Sequence, residues 1–340
     1  NHHPATVPDA VARHASTAGD HPALIVADGP TLSYAQLHQQ IDAFAESLHA
    51  LGIGPGDTVG LALRDGVEMA IAFLGTSAVA GAAPLNPSYR EREFDFEIDD
   101  LSLAAMIAGT GSFEVTAAVD AAVKRDVPVI RVSSESGADL TVAGEVVREQ
   151  GAGVRSVTGD VALVLHTSGT TARPKIVPLR HENLMASAQA IGATLHLDAA
   201  DRCCNVMPLF HIHGLIAGLC SSLVAGATVI CTTGFSAPDM PRWLAAHQAS
   251  WYTAVPTMHQ ALLDRARSHP QAFDGVDLRL VRSSSSSLPP SVMAELEAAF
   301  SCPVVEAYGM TEAAHQMACN PLPPAARTPG SVGPAAGPDV

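Results

Sequence analysis

From Asn205 to Pro238 the chain carries no Lys, Arg, Asp or Glu. A stretch that long without charge must leave water, either by crossing a membrane or by entering a protein core. Its most apolar part, Gly214–Cys231, is 18 residues long, near the lower limit for a membrane-spanning helix. Gly226 supplies a helix stop, and Thr228-Val229-Ile230 is the β-branched run of a strand. No basic cluster flanks either end, as membrane orientation requires. The segment reads as core: a buried helix from Leu215 to Leu223, an Ala-Gly turn, and a buried strand from Ala227 to Thr232.

The same alternation of helix and short apolar strand runs through the chain, which points to an α/β fold with mostly parallel sheets. Ser33 can cap a helix through Leu37, Ile41, Phe44 and Leu48, ending at Gly52, and a strand follows at Thr58 to Leu63. Glu68 to Val79 reads as a second helix, with further strands at Leu103 to Ala108 and Val127 to Val132. Later units are the helix Pro241 to His247 and the strands Trp251 to Val255 and Leu278 to Val281. Gly137 to Gly153 is polar and glycine-dotted, the pattern of a surface connection. Pro321 to Pro338 is rich in Pro, Gly and Ala and reads as loop.

With 340 residues, of which 47% are hydrophobic, the chain can bury roughly two domain cores, and wholesale disorder is excluded. Asp and Glu number 34 against 19 Lys and Arg, a net charge of −15. That balance argues against nucleic acid, whose binding starts from a basic patch. It leaves room for an anionic small substrate held by a local cationic site. Lysine occurs only at Lys124 and Lys175, so a lysine inside a motif carries weight. Cys203, Cys204, Cys220, Cys231, Cys302 and Cys319 form no CxxC pair and read as reduced, mostly buried thiols of a cytoplasmic protein. The N-terminus lacks the pattern of a signal peptide.

Three segments carry chemistry. In Val161–Lys175 an apolar strand runs into Thr167, Ser168, Gly169, Thr170 and Thr171, then Pro174-Lys175. Backbone N–H groups, hydroxyls and a lysine together can wrap phosphate oxygens. A Walker P-loop is excluded, because Pro174 stands where its second glycine belongs and Ile176 follows the lysine. In Val304–Glu312 a strand ends in Tyr308, Gly309, Met310, Thr311 and Glu312. Tyr308 can stack on a base, Thr311 can bond a phosphate, and Glu312 can hold Mg²⁺. A core Tyr followed by a helix-capping Thr would look similar.

Pro208–Gly214 places His211 and His213 at i and i+2, on one side if the backbone is extended. No third ligand stands at zinc spacing, and a core histidine pair gives the same pattern. His181-Glu182 does not continue as HExxH, and GxSxG is absent. Ser283 to Ser287 follows a strand and reads as a loop at the carboxyl end of a sheet strand, where α/β folds bind ligands.

Together these residues resemble the adenylate-forming acyl-CoA synthetase superfamily, the AMP-binding enzymes. Its TSGTTGxPKG fingerprint is matched from Thr167 to Lys175 except at Ala172 and Ile176, and YGMTE is matched at Tyr308–Glu312. PLFHIHGL and WYTAVPT also fit, so the resemblance covers nearly the whole chain. HTSGTTARPK, WYTAVPTMHQ, LRLVRSSSSSLPP and MTEAAHQMACNPLPP are similar to oxalate–CoA ligase-type members. The resemblance implies two stacked αβα layers and the start of a small β-barrel, with halves 1–158 and 159–315 and the barrel start at 316–340. It implies attack of a carboxylate on the α-phosphate of ATP, giving an acyl-adenylate that CoA then intercepts.

By that resemblance Thr167, Ser168, Gly169, Thr170, Thr171 and Lys175 embrace the β- and γ-phosphates. Tyr308, Gly309, Ser285, Ser286 and Ser287 bracket adenine, Thr311 meets the α-phosphate, and Glu312 holds Mg²⁺. His211 sits beside the reacting carboxylate, and His213, Ser284 and His315 line the acid pocket. Such a pocket favours a short polar acid such as oxalate over a medium-chain fatty acid. An amino-acid adenylation domain and a non-catalytic adenylate-binding module are the other readings. Non-glycine residues at Ala172 and Ile176 would be strained if either position needs a positive φ. The family's ribose-binding Asp, hinge and C-terminal domain with its catalytic Lys are expected beyond Val340, so the chain alone should adenylate poorly.

Overall fold

The computed structural model describes residues 4–111, 114–134, 139–145, 154–167 and 174–338. They form two compact units, the first of residues 1–21 and 29–184, the second of residues 22–28 and 185–340.

In the first unit the sheet order is Leu140–Ala143, Val129–Ser134, Ala105–Gly109, Thr58–Ala62, Gly81–Pro84, Val161–Thr167, Lys175–Arg180. The inner five strands are parallel and the two outer ones antiparallel to their neighbours. Helix Tyr34–Ala50 starts as expected: Ser33 and Gln36 cap each other, and Leu37, Ile41, Phe44 and Leu48 are buried. Helices Glu91–Leu101 and Thr116–Lys124 close one core against the sheet through Phe94, Ile98, Ala118 and Ala122. Among the strands not expected, two are outer ones. Leu140–Ala143 lies within what reads as a surface connection, and Lys175–Arg180 contains Pro178. Both are outer strands, where a missing N–H and sparse apolar content cost little. Ile176 lies in extended strand opposite His166 and is not among the residues with positive φ. The expected strain is therefore absent there, and Ala172 lies outside the described residues.

In the second unit the order is His315–Cys319, Val304–Met310, Leu280–Ser283, Trp251–Ala254, Arg202–Asn205, Thr228–Cys231, Pro22–Val26. All neighbours are parallel except the first pair. Helices Met240–Ala246, Pro256–Ser268 and Pro290–Phe300 pack on it through Trp243, Leu262, Leu263, Val292 and Leu296. The uncharged stretch is core. Its helical part, His213–Cys220 and Ser221–Ala225, is buried almost throughout, Gly226 caps it with φ 82°, and Thr228–Cys231 is fully buried. No helix among the described residues is long and apolar enough to cross a membrane.

One feature of this helix was not expected: His213–Cys220 is π-helical. Asn205 Nδ2 donates to the Gly214 carbonyl at 3.0 Å, and a Cβ on Gly218 would lie 2.5 Å from the Asn205 side chain. A side chain that captures a helix carbonyl widens the ladder locally. After Cys319 the chain makes turns and one isolated bridge, Ala318 to Ala335, and no closed barrel forms among the described residues.

Candidate active site

The parallel strands of the second unit deliver the motif residues to their carboxyl ends. Leu280–Ser283 leads into Ser284–Ser287, and its neighbour Val304–Met310 leads into Thr311 and Glu312. Tyr308 is 47% exposed, on a strand whose first four residues are buried. Ser285, Ser286, Ser287 and Glu312 are exposed, and Thr311 is half-buried. A bulge between Tyr308 and Gly309 bends this strand against His315–Cys319. Gly309 is obligatory there, because a Cβ would lie 1.9 Å from the His315 carbonyl oxygen. Ser285, Ala314 and His315, none of them glycine, are held at positive φ, at 69°, 50° and 96°. Such strain persists only where surrounding structure enforces it, commonly at functional sites.

His211 and His213 do not share a side, because the backbone is already helical at Ile212. His211 stays exposed, its ring against Phe210 with centroids 4.5 Å apart. His213 turns inward and is 2% exposed. Its Nδ1 lies 2.9 Å from Ser285 Oγ and its Nε2 2.6 Å from Thr253 Oγ1. Its ring stacks on that of His315, centroids 4.9 Å apart. Burial pushes the pKa of both histidines well below the ordinary value, and the charge of Arg282 adds to the effect. Both are neutral at physiological pH. Ser284, by contrast, is buried and donates its hydroxyl to the Ala307 carbonyl at 2.9 Å, so Ser285 and not Ser284 reaches His213.

Three members of this cluster were not singled out from the sequence: Thr253, Arg282 and Gln316. Arg282 is fully buried. Its Nη1 donates to Thr253 Oγ1 and His315 Nε2, both at 3.3 Å, and its Nη2 to Gln316 Oε1 at 3.2 Å. Gln316 is itself held by Thr194 Oγ1 and the Ala336 carbonyl. The only available signal was the second arginine of Leu278-Arg-Leu-Val-Arg282, in a segment that otherwise reads as strand.

In the first unit, Thr167 ends strand Val161–Thr167 and pairs across the hairpin with Lys175, which is exposed. Ser168, Gly169, Thr170 and Thr171 lie outside the described residues. Immediately before Thr167, His166 is clamped between Glu97 at Nδ1 and Asp100 at Nε2, the latter at 2.8 Å. Among the described residues no group of three or more His, Cys, Asp or Glu could hold a metal ion.

The second unit thus brings its YGMTE segment and a buried polar cluster to the carboxyl ends of parallel strands. The family model of the AMP-binding enzyme matches residues 11–340. The chain belongs to the AMP-binding enzyme family. It is 43% identical to an oxalate–CoA ligase of Arabidopsis thaliana over 92% of this chain and 62% of that protein. It is 37% identical to an oxalate–CoA ligase of Saccharomyces cerevisiae over 82% of this chain and 55% of that protein. It therefore spans about three fifths of the length of these curated relatives. The fold superposes on that of apo MatB from Rhodopseudomonas palustris with a TM-score of 0.82 and 26% identity, over 98% of this chain and 64% of MatB.

Proposed function

We propose that this AMP-binding enzyme activates a short polar carboxylic acid, such as oxalate, with ATP and that the whole protein passes the acyl group to CoA. The observation that carries the reading is the buried His213–His315 cluster beside the YGMTE segment, in a chain whose relatives include oxalate–CoA ligases. The acid's carboxylate oxygen attacks the α-phosphorus, pyrophosphate leaves, and an acyl-adenylate forms. In the second step the CoA thiolate attacks the acyl carbon and AMP leaves. No acyl-enzyme is needed, so the protein's work is to position anions and offset their charge.

In this reading Lys175, Thr167, Ser168, Gly169, Thr170 and Thr171 hold the β- and γ-phosphates. Tyr308, Gly309 and Ser285–Ser287 hold adenine, and Thr311 the α-phosphate. His211, His213, Ser284 and His315 serve the acid, with Ser285 added because its hydroxyl is the one bonded to His213. Glu312 is an exposed carboxylate with no hydrogen-bond partner among the described residues. One such carboxylate suffices for Mg²⁺, which keeps most of its shell from phosphates and water. When bound, that ion would neutralise phosphate charge. Six buried free thiols support a reducing, cytoplasmic setting. The halves 1–158 and 159–315, with a barrel start at 316–340, remain our proposed division of the family's N-terminal part.

A fatty acid is disfavoured, because an alkyl chain would leave buried imidazole and hydroxyl groups without partners. The test is a thermal-shift panel with Mg-ATP and with stable adenylate analogues of oxalate, a medium-chain fatty acid and an amino acid. A ligand of the native state raises its stability by RT ln(1 + [L]/Kd), so tighter binding gives a larger shift at equal concentration. A shift largest with the oxalyl analogue is expected. A larger shift with the fatty analogue would overturn the acid assignment, and one with the aminoacyl analogue would favour amino-acid adenylation.

A further inference from the structure

Arg282 is a full positive charge with no solvent contact and, among the described residues, no carboxylate partner. Its acceptors are a hydroxyl, an imidazole nitrogen and an amide oxygen, all neutral, and its Nε has none. Buried cations are normally paired, because an uncompensated one costs several kcal/mol. The buried carboxylate of Asp201 in this unit is paired, by a two-pronged contact with the exposed Arg279. Arg282 is the exception, and it stands inside the candidate acid site.

A guanidinium can only donate, and that fixes the proton on every group around it. His315 Nε2 accepts from Arg282, so the proton of neutral His315 is on Nδ1. Thr253 Oγ1 also accepts from Arg282, and its own proton has one acceptor within reach, His213 Nε2 at 2.6 Å. His213 therefore carries its proton on Nδ1 and donates it to Ser285 Oγ at 2.9 Å. Ser285 is then left with an O–H to donate outward. His315 Nδ1–H has no acceptor among the described residues and lies beside Gly309, where even a Cβ would be 3.1 Å away. Both branches that start at Arg282 thus end in outward hydrogen-bond donors, Ser285 O–H and His315 N–H, backed by one uncompensated positive charge.

We propose that Arg282 is a positioning and specificity residue that tunes this site to acids carrying a second ionised carboxylate, through donors it orients on His315 and on the Thr253–His213–Ser285 relay. The inference rests on the proposed reading of this cluster as the acid site. A monocarboxylate spends its only charge on the reacting phosphate. A dicarboxylate keeps one carboxylate ionised throughout, and that group meets the donors and the field of Arg282. In oxalate the two carboxylates are adjacent, so one compact cluster can serve both.

The test is calorimetric titration of the 340-residue protein with oxalate and with glyoxylate, an acid of similar size lacking the second charge, alongside titration with Mg-ATP. The wild type should bind oxalate about 10- to 100-fold tighter than glyoxylate, the range of a charge-assisted hydrogen bond. Arg282→Gln should erase that preference, and Arg282→Lys should retain part of it. Ring ¹⁵N shifts should report the Nδ1–H form for both histidines in the wild type and a mixture in Arg282→Gln, a change no purely structural role predicts. Equal binding of the two acids by the wild type, or an undiminished oxalate preference in a folded Arg282→Gln protein, would overturn the inference and leave the adenylation reading standing. Absence of Mg-ATP binding with a retained, Arg282-dependent oxalate preference would do the reverse.

Discussion

The imidazoles of His213 and His315 stack face to face, 4.9 Å between centroids and 24° between planes, and both residues are almost fully buried. Two stacked imidazoles beside a guanidinium can persist only if both are neutral. Burial above all, and then the charge of Arg282, opposes protonation of either ring, so both pKa values are held well below 6.5.

That burial sets the acid limb of the stability profile. Unfolded histidine protonates near pH 6.5, while folded His213 and His315 resist protonation. The unfolded state therefore binds more protons as pH falls below 6.5, and stability drops with it. The midpoint of urea unfolding should fall between pH 6.5 and 5, and His315→Gln should make that slope shallower. An unchanged slope in the variant would remove His315 as a cause.

His166 acts in the opposite direction. Burial works to lower its pKa, but its two carboxylate partners, Glu97 and Asp100, prevail and the net shift is upward. The stabilisation from this clamp is fully present below the unfolded value near 6.5 and is lost as pH rises through the raised folded value. Since His166 adjoins Thr167, the clamp also anchors the end of strand Val161–Thr167. Histidine proton NMR should give His166 a midpoint above 6.5, and Glu97→Gln should lower it. A wild-type midpoint below 6.5 would show that the ring is not an imidazolium between two carboxylates.

The π-helical turn should depend on two residues acting as a pair. Alanine at Gly218 would place a Cβ 2.5 Å from the Asn205 carboxamide and dislodge its bond to the Gly214 carbonyl. Such overpacking should cost about 1–3 kcal/mol of unfolding free energy. With Asn205→Ala the obstacle is gone, so the double variant should be less destabilised than the two single losses combined. Denaturant unfolding of all four proteins completes the cycle, and simple additivity would mean the contact does not shape the helix.

What could be read from the sequence was what local patterns determine. Ser33 and Gln36 announce a cap, Leu37, Ile41, Phe44 and Leu48 a buried helical face, and the uncharged stretch a core element, all from spacing alone. The candidate site's outer residues came from contiguous motifs, and Tyr308–Met310 end a strand that leads directly into Thr311 and Glu312. The missed features depend on partners far along the chain. Arg282 looks like any strand arginine until Thr253, His315 and Gln316 surround it. The π-helix needs Asn205 from another strand, and the shared side of the i, i+2 histidines held only for extended backbone, which nothing local rules out before the helix begins at Ile212. Strand Lys175–Arg180 was hidden by Pro178, which is tolerated only because the strand is an outer one.

Lys175 and Glu312 should separate the nucleotide from its metal. Lys175 offers a full charge where strand Lys175–Arg180 begins, and Glu312 an exposed carboxylate just beyond strand Val304–Met310. A lysine on phosphate oxygens stabilises ATP with or without Mg²⁺, whereas a carboxylate repels bare phosphate and gains only through the cation. Lys175→Ala should therefore weaken ATP and Mg-ATP alike, by about 10- to 100-fold. Glu312→Gln should weaken Mg-ATP and leave metal-free ATP unchanged or slightly tighter. Fluorescent-nucleotide titrations in magnesium and in chelator measure all four affinities. Equal losses for Glu312→Gln in both conditions would remove its metal role, and an unaltered affinity in Lys175→Ala would move the phosphate site away from this hairpin and favour a binding module over an adenylating enzyme.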